Sequence, residues 1–370
     1  MKQHVTIILF LIVQLAFSQG RNIHLTGRLV DAVNQEPIPY ASIVVTGTAL
    51  GTACNAKGVF ELIIPHEFAH TSIRVSCIGY RSKTFSLDSI ATNKDLVLSL
   101  SQDSTLLDEI SVVSTISSPT EILDEALNAV SRNYCQQPFN LELYSIITNH
   151  DSIRQSDYTL ETILLGHYEG YYGNSRKKFK ILEKRETGID PLTPVGYTYW
   201  PSNEMYSVDL ITDQAARGIF NREHWDKFQF QRQDVSVYDD DTVFVIQYEL
   251  PKPTTKITGY GITPAYYRGK IFIAHRTYAI VRHTLETSSF TYDILYKKVN
   301  NYYFPYLIRG DRENTFKLHG KRQLFRNTNV IIVKNIHLSD VKRIDVSEDE
   351  WDTSKIRYNR DYWDVHFPRQ

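Results

Sequence analysis

Leu25-Thr-Gly-Arg-Leu-Val-Asp31 leads into Pro37-Ile-Pro-Tyr-Ala-Ser-Ile-Val-Val45. Then come Gly47-Thr-Ala-Leu-Gly-Thr52, Lys57-Gly-Val-Phe60 and Val75-Ser-Cys-Ile-Gly-Tyr80. Each β-branched or aromatic run is closed by Gly, Pro or Asn within a few residues, which is how short sandwich strands and their turns are written. About seven short strands are expected between Ile23 and Leu100, the last being Leu96-Val-Leu-Ser-Leu100. Period-two alternation assigns Ile38, Ala41, Ile43 and Val45 to one inward row, Phe60, Leu62 and Ile64 to a second, and Ile73, Val75 and Cys77 to a third.

Upstream of this stretch, Lys2 and His4 precede an apolar run from Val5 to Phe17, and Ala16-Phe17-Ser18 offers small residues where a signal peptidase reads. The run is shorter than the roughly 20 residues a spanning helix requires. Residues 1–18 are therefore expected to be a signal peptide, and the mature chain exported and soluble, in the periplasm or at the outer membrane. Any membrane contact would come through a partner or a surface patch.

The 370 residues carry 41 Lys and Arg against 42 Asp and Glu, a formal net charge of -1. A nucleic-acid-binding chain would show a basic surplus or stripe, so no nucleic-acid partner is expected. A length this far above a single core predicts two domains: a sandwich over 19–100, a linker over 101–118 and a larger unit over 119–370. Three cysteines, Cys54, Cys77 and Cys135, are too few for a disulfide framework, and spacing leaves a Cys54–Cys77 bridge open.

Ser118-Pro-Thr-Glu121 writes a capping box with Pro in the first turn. Ile122, Leu123, Ala126, Leu127 and Val130 follow as one apolar stripe. From Leu141 to Val341 most segments alternate with period two. Strands are expected over 179–185, 242–250, 270–275, 278–286, 290–299, 302–309, 316–325 and 330–338, with a second helix over 210–228. The fold expected is mainly β: a prealbumin- or Ig-like sandwich, then a larger α+β domain. In the latter a long curved antiparallel sheet wraps one or two helices.

The order of Gly27, Asp31, the strand to Val45, Gly51-Thr52, Gly58-Val-Phe60 and Ser76-Cys-Ile-Gly-Tyr80 resembles the carboxypeptidase-regulatory-like domain. This is a prealbumin-like sandwich found in envelope proteins of Bacteroidetes. With Leu106-Leu-Asp-Glu-Ile-Ser-Val-Val113 it is also similar to the N-terminal extension of TonB-dependent receptors. Asn55 stands where that family usually has aspartate, and no receptor plug motif follows Val113. The half-barrel of lipoprotein-carrier proteins is similar in pattern to the second domain. The resemblance implies an envelope location and a docking role for the sandwich, and supplies no activity.

His66-Glu-Phe-Ala-His70 has the spacing of a zincin motif, but the flanking strands leave about one turn where a helix of several turns is needed. A polar hairpin turn is the expected structure. Asp239-Asp-Asp241 and Ser347-Glu-Asp-Glu350 lack the glycine and spacing of a calcium loop, and read as solvated ends. His275 and His283 could face each other across a hairpin, with nothing nearby to complete a zinc set. No metal or other cofactor is expected. Tyr is abundant at 24 residues. Tyr197, Tyr199 and Trp200, in a loop with Pro194, Gly196 and Pro201, and Tyr266 with Tyr267 are the candidate ligand-contacting residues, because exposed rings can stack on sugars or line an acyl pocket.

The function these observations favour is a non-enzymatic exported envelope protein. In that reading the sandwich docks, and the curved domain binds an outer-membrane or periplasmic protein, a glycan or a lipid. The alternatives are an envelope hydrolase for peptide or glycan, using carboxylates gathered by the fold, and an accessory of a TonB-dependent outer-membrane transporter.

Overall fold

The structure is a computed structural model. It describes residues 23–38, 41–46, 51–54, 57–64, 66–77, 79–90, 96–102, 118–151, 156–172, 177–188, 211, 218–238, 241–258, 263–318, 321–344 and 356–366. The signal segment, the Tyr197 to Trp200 loop and most of the linker lie outside them.

Among the described residues the front of the chain forms seven strands, β1 (Ile23–Asp31), β2 (Ser42–Val45), β3 (Gly51–Ala53), β4 (Val59–Ile64), β5 (Ser72–Ser76), β6 (Lys83–Ser86) and β7 (Leu96–Leu100). They build one sheet ordered β4-β1-β7 and another ordered β3-β2-β5-β6. All three inward rows expected from the alternation pack into one core with Leu96, Leu98 and Leu100. Gly58 adopts φ +72, and a Cβ there would also meet the Leu29 carbonyl at 2.6 Å, so the turn into β4 requires glycine. Asp31 closes β1: its carboxylate accepts the Val33 N–H at 2.8 Å, the Gln102 amide at 2.7 Å and the Tyr80 hydroxyl at 3.1 Å.

Cys54 and Cys77 are not joined in a disulfide, and the topology explains why. Ser42 pairs with Ala53 on one side and Ser76 on the other, so the two cysteines flank strand β2. Two strand spacings separate them, about 10 Å, beyond the reach of a disulfide. His66–Phe68 forms a single 3-10 turn between β4 and β5, and His70 Nδ1 lies 2.9 Å from an Asp88 carboxylate oxygen. The two histidines thus share no helix face.

The larger domain opens with helix α1 (Pro119–Asn128) and one turn, α2 (Val130–Asn133). The capping box is present: Ser118 accepts the Glu121 N–H, and the Glu121 carboxylate accepts the Ser118 N–H at 2.8 Å. Among the described residues ten strands follow: β8 (Phe139–Asp151), β9 (Ser156–Tyr168), β10 (Lys177–Thr187), β11 (Gln229–Tyr238), β12 (Asp241–Glu249), β13 (Tyr267–Ala274), β14 (Ile280–Thr287), β15 (Phe290–Val299), β16 (Tyr302–Leu318) and β17 (Lys321–His337). They form one antiparallel sheet ordered β10-β9-β8-β17-β16-β15-β14-β13-β12-β11. Two meanders, β8 to β10 and β11 to β17, are joined by pairing the first strand of one with the last strand of the other. A flat sheet of this order would be about 45 Å wide. Here Phe179 of β10 and Phe244, Ile246 and Tyr248 of β12 join Ile122, Leu123 and Leu127 of α1 in one core, so the sheet curves around the helix.

Three expectations are corrected. Residues 218–228 are not α-helical: Gly218–Phe220 and Arg222–Lys227 are 3-10 turns, separated by Asn221, whose side chain accepts the Glu223 N–H. The segment 316–325 is two strands, because Leu318 pairs with Lys321 and Phe316 with Gln323. His275 and His283 are not partners: His283 pairs with Ile271, while the His275 N–H donates to the Thr242 carbonyl beyond the end of β13.

The sandwich packs on the outer face of the curved sheet. Val44 points away from its own core onto Leu295, Tyr306 and Leu307, with Val330 and Ile332 beside them. A bulge makes this possible: Leu295 opposes Leu307 and Tyr296 opposes Pro305, so Tyr306 is the extra residue and turns outward as well. Burial pushes the Tyr306 hydroxyl up to about 12, and it bonds Ser42 of β2 and, at 3.4 Å, Tyr238. The Arg282 guanidinium holds Asp293 on the same face through bonds of 2.8 and 2.6 Å.

Candidate functional site

Strand alternation gives the curved sheet an inner face, toward α1, and an outer face. On β8 the inner row is Phe139, Leu141, Leu143, Ser145, Ile147 and Asn149. Phe139, Leu141 and Leu143 belong to the core around α1. Past Leu143 the apolar row is interrupted. Ser145 pairs with Thr162 and Ile331, Ile147 with Leu160 and Asn329, and Asn149 with Tyr158 and Asn327. The inner face therefore carries a polar layer, an apolar layer of Ile147, Leu160 and Tyr158 that forms its own small cluster, and a second polar layer.

These polar side chains are buried: Ser145 and Asn149 are 0 % exposed, Thr162 1 % and Asn329 2 %. Some of their capacity is spent internally. The Ser145 hydroxyl donates to Asn329 Oδ1 at 3.4 Å, and the Asn327 amide donates to Asn149 Oδ1 at 2.6 Å. Two groups are left over: Asn149 Nδ2 and Thr162 Oγ1 have no hydrogen-bond partner among the described residues. A buried unpaired polar group costs about 1–3 kcal/mol, and native structures carry few of them. Cations flank the array. Lys184 of β10 pairs with Thr162 and lies 3.2 Å from Glu186, while Arg312 of β16 pairs with Asn327.

Directly behind this array, on the outer face, the alternate residues make a compact clasp. Arg185 donates to both Glu161 oxygens at 2.6 Å, and Tyr144 donates to the same carboxylate. Burial, reinforced by Glu161, pushes the Tyr144 hydroxyl well up, so it stays protonated as the donor. Helix α3 (Arg360–His366) lies over this group, with the fully buried Trp363 ring 4.6 Å from the Arg185 guanidinium. Glu161 is thereby saturated, which removes it as a free base.

Tyr266 and Tyr267 are placed apart from this array. Tyr267 is fully buried, with its ring 6.1 Å from both Phe228 and Tyr248. Tyr266 is 36 % exposed and carries the Arg268 guanidinium 4.9 Å from its ring. Tyr197, Tyr199 and Trp200 fall outside the described residues. The residues that sequence reasoning missed are Ser145, Asn149, Thr162, Asn327 and Asn329. Their signal is small polar residues in the apolar phase of a strand. Among the described residues, no three His, Cys, Asp or Glu side chains gather as a metal site, and no helix is long and apolar enough to cross a membrane.

No curated protein matches the chain. Among solved structures, an outer-membrane lipoprotein-sorting protein domain from Vibrio parahaemolyticus aligns at 9 % identity. It covers 64 % of this chain and 98 % of its own, with a TM-score of 0.29. A DUF1329 family protein from Desulfovibrio piger aligns at 10 % identity over 65 % and 100 %, with a TM-score of 0.30. Lipoprotein LppX of Mycobacterium tuberculosis aligns at 9 % identity over 61 % and 100 %, with a TM-score of 0.23. The family comparison concerns the front of the chain: residues 25–112 match the CarboxypepD_reg-like domain.

Proposed function

We propose that this is an exported, non-enzymatic envelope protein whose curved domain binds a ligand on the inner face of its sheet, while the sandwich holds the molecule to a partner. The observation that carries this reading is a pair of buried polar groups, Asn149 Nδ2 and the Thr162 hydroxyl, that have no partner among the described residues and lie beside Ile147, Leu160 and Tyr158. Folding alone gains nothing from such groups, whereas a ligand that hydrogen-bonds them offsets their desolvation. Tyr266, and separately Tyr197, Tyr199 and Trp200, are proposed as aromatic ligand contacts.

The test is to purify the mature chain from its native envelope, extract it with organic solvent and identify what is released. A small molecule present in stoichiometric amount, and lost from a Thr162→Val, Asn149→Leu double variant, is the expected result. An empty extract, with no binding from a fractionated envelope extract, refutes the reading.

A second reading, accessory to an outer-membrane transporter, draws on a different surface. The β2 side of the sandwich is occupied by the curved sheet, so a partner would have to use the β4-β1-β7 sheet. There Arg28 pairs with both Val59 and Val97, which are 44 % and 51 % exposed. In-cell crosslinking from a probe placed at Arg28, which lies between the two valines, should capture an outer-membrane protein, and Val59→Asp with Val97→Asp should abolish the capture. Crosslinks that persist in the double variant would sink this reading.

A further inference from the structure

The far end of the β16–β17 hairpin stands clear of the sheet that carries it. β15 accompanies β16 as far as Arg312, which pairs with Phe290, and β8 accompanies β17 back to Phe325, which pairs with Asp151. Beyond those points the two strands pair, among the described residues, only with each other, from Thr315 against Leu324 to Leu318 against Lys321. The arm reaches about 14 Å past the end of β8.

A two-stranded ribbon with no sheet on either side is marginal in water, and water favours polar residues on it. The sequence here is of another kind. Thr315-Phe-Lys-Leu-His-Gly-Lys-Arg-Gln-Leu-Phe325 holds Phe316, Leu318, Leu324 and Phe325 together with Lys317, Lys321 and Arg322. No Asp or Glu occurs from Asn314 to Ser339, in a chain whose charges otherwise balance. Leu324 is 41 % exposed.

Strand register sharpens the charge argument. Lys317 is directly opposite Arg322, so the two occupy one face of the ribbon. Like charges in that position destabilise a strand pair. Along the ribbon, the nearest acid on that face is Glu313, two pairs back and already engaged by Arg326 at 2.7 Å. Lys321, opposite Leu318, brings a third cation to the same turn. An anion at the tip relieves this repulsion.

Free phosphate would answer the cations and leave the four apolar residues in water. A purely apolar partner would leave Lys317 and Arg322 opposed. Lysines also protect bare strand edges from aggregation, but an edge built for protection has no use for four large apolar residues. A membrane surface with acidic headgroups supplies both halves, phosphates outside and an apolar layer beneath.

We propose that the tip of this hairpin, residues 315–325, seats the protein on a bilayer surface containing anionic phospholipids. Lys317, Lys321 and Arg322 meet the phosphates, and the apolar residues enter the headgroup boundary. This surface is separate from the inner face of the sheet, so each reading stands or falls without the other.

The test is co-sedimentation of the full mature chain with vesicles of phosphatidylcholine alone, or mixed with phosphatidylglycerol. The mixed vesicles should bind the protein and the neutral ones should not. Binding should fall about tenfold or more between about 0.1 and 1 M salt. Lys317→Gln, Lys321→Gln and Arg322→Gln together should weaken it about a hundredfold, at about fivefold per cation. A control removes the same charge from exposed lysines at the opposite end of the sheet, by Lys178→Gln, Lys180→Gln and Lys298→Gln. That variant should stay within about twofold of the unsubstituted protein, because distant charges are screened. Phe316→Ser with Leu318→Ser should weaken binding about tenfold or more at unchanged charge.

In the unsubstituted protein, amide hydrogen exchange across the arm should slow about tenfold or more on mixed vesicles and stay the same on neutral ones. This measurement does not depend on any variant folding. Absence of binding to the mixed vesicles, equal losses in the two triple variants, or protection that spares the arm overturns the proposal. So does unchanged affinity in the Phe316 and Leu318 double variant, which would leave a contact suited to an acidic protein. Protection of the arm without vesicles, growing with protein concentration, would make its occupant a second copy of the chain and sink the membrane reading.

Discussion

Replacing Thr162 by valine should make the ligand-free protein more stable, the reverse of what most buried substitutions do. The two side chains have nearly the same shape, and both are β-branched, so strand preference and rotamer restriction carry over. What changes is the hydroxyl, 1 % exposed as a residue and without a partner among the described residues. An unpaired buried hydroxyl costs about 1–3 kcal/mol relative to water, so its removal should return about 1 kcal/mol. For a chain of this size that corresponds to a rise of about 2 °C in Tm. Urea unfolding followed by far-UV circular dichroism measures it directly, and an unchanged denaturant slope would show that the unfolded state is not responsible. A loss of 1 kcal/mol or more would refute the reasoning, since the hydroxyl must then be bonded in the folded protein. With ligand present the sign inverts, because the valine protein gains less from the same ligand concentration.

Three other outcomes follow from the fold. Gly269→Ala should leave the chain largely insoluble or cost at least about 3 kcal/mol, because its Cβ would lie 2.0 Å from the Thr284 carbonyl and 2.5 Å from the Tyr248 hydroxyl; a soluble variant of normal Tm would contradict that packing. His283 is fully enclosed beside Tyr248, and burial pushes its pKa down to about 3. Its folded pKa lies below the unfolded value of about 6.5, so its contribution is complete above pH 6.5 and is lost as the pH falls toward 3. His283→Gln should therefore flatten the stability profile between about pH 6.5 and 4, and a profile parallel to the wild type would refute the assignment. Val44→Asp places a charge against Leu295, Tyr306 and Leu307, and scanning calorimetry should then resolve separate sandwich and sheet transitions; one unchanged transition would show that the two cores do not depend on this contact.

What could be read from the sequence was what is decided locally. The sandwich rows around Ile43, Phe60 and Val75 were visible because each strand is bounded by its own turn. The α1 start was visible because Ser118, Pro119 and Glu121 lie within a single turn. The curved sheet was visible as alternation, but its order was not: β8 and β17 pair from Phe139–Asp151 to Lys321–His337 across nearly the whole domain. Residues 210–228 carried helical spacing that Gly218, at φ +67, does not permit. The polar residues of the inner face looked like scattered Ser, Thr and Asn. Asn149 and Asn327 become a pair only when β8 and β17 are adjacent, and the outward turn of Tyr306 depends on a bulge that no local signal marks.

The clasp behind the inner face has a practical consequence. Tyr144, Glu161 and Arg185 are the chain neighbours of Ser145, Thr162 and Lys184, so a single strand's thickness separates the two environments. Trp363, one of four tryptophans in the chain, has its indole 4.6 Å from the Arg185 guanidinium and so reports on that neighbour's position. A shift of β9 or β10 by a fraction of an ångström changes the electric field across the ring and with it the colour of its emission. With the other three tryptophans replaced by phenylalanine, its emission would be a gauge of the far side of the sheet that needs no added label.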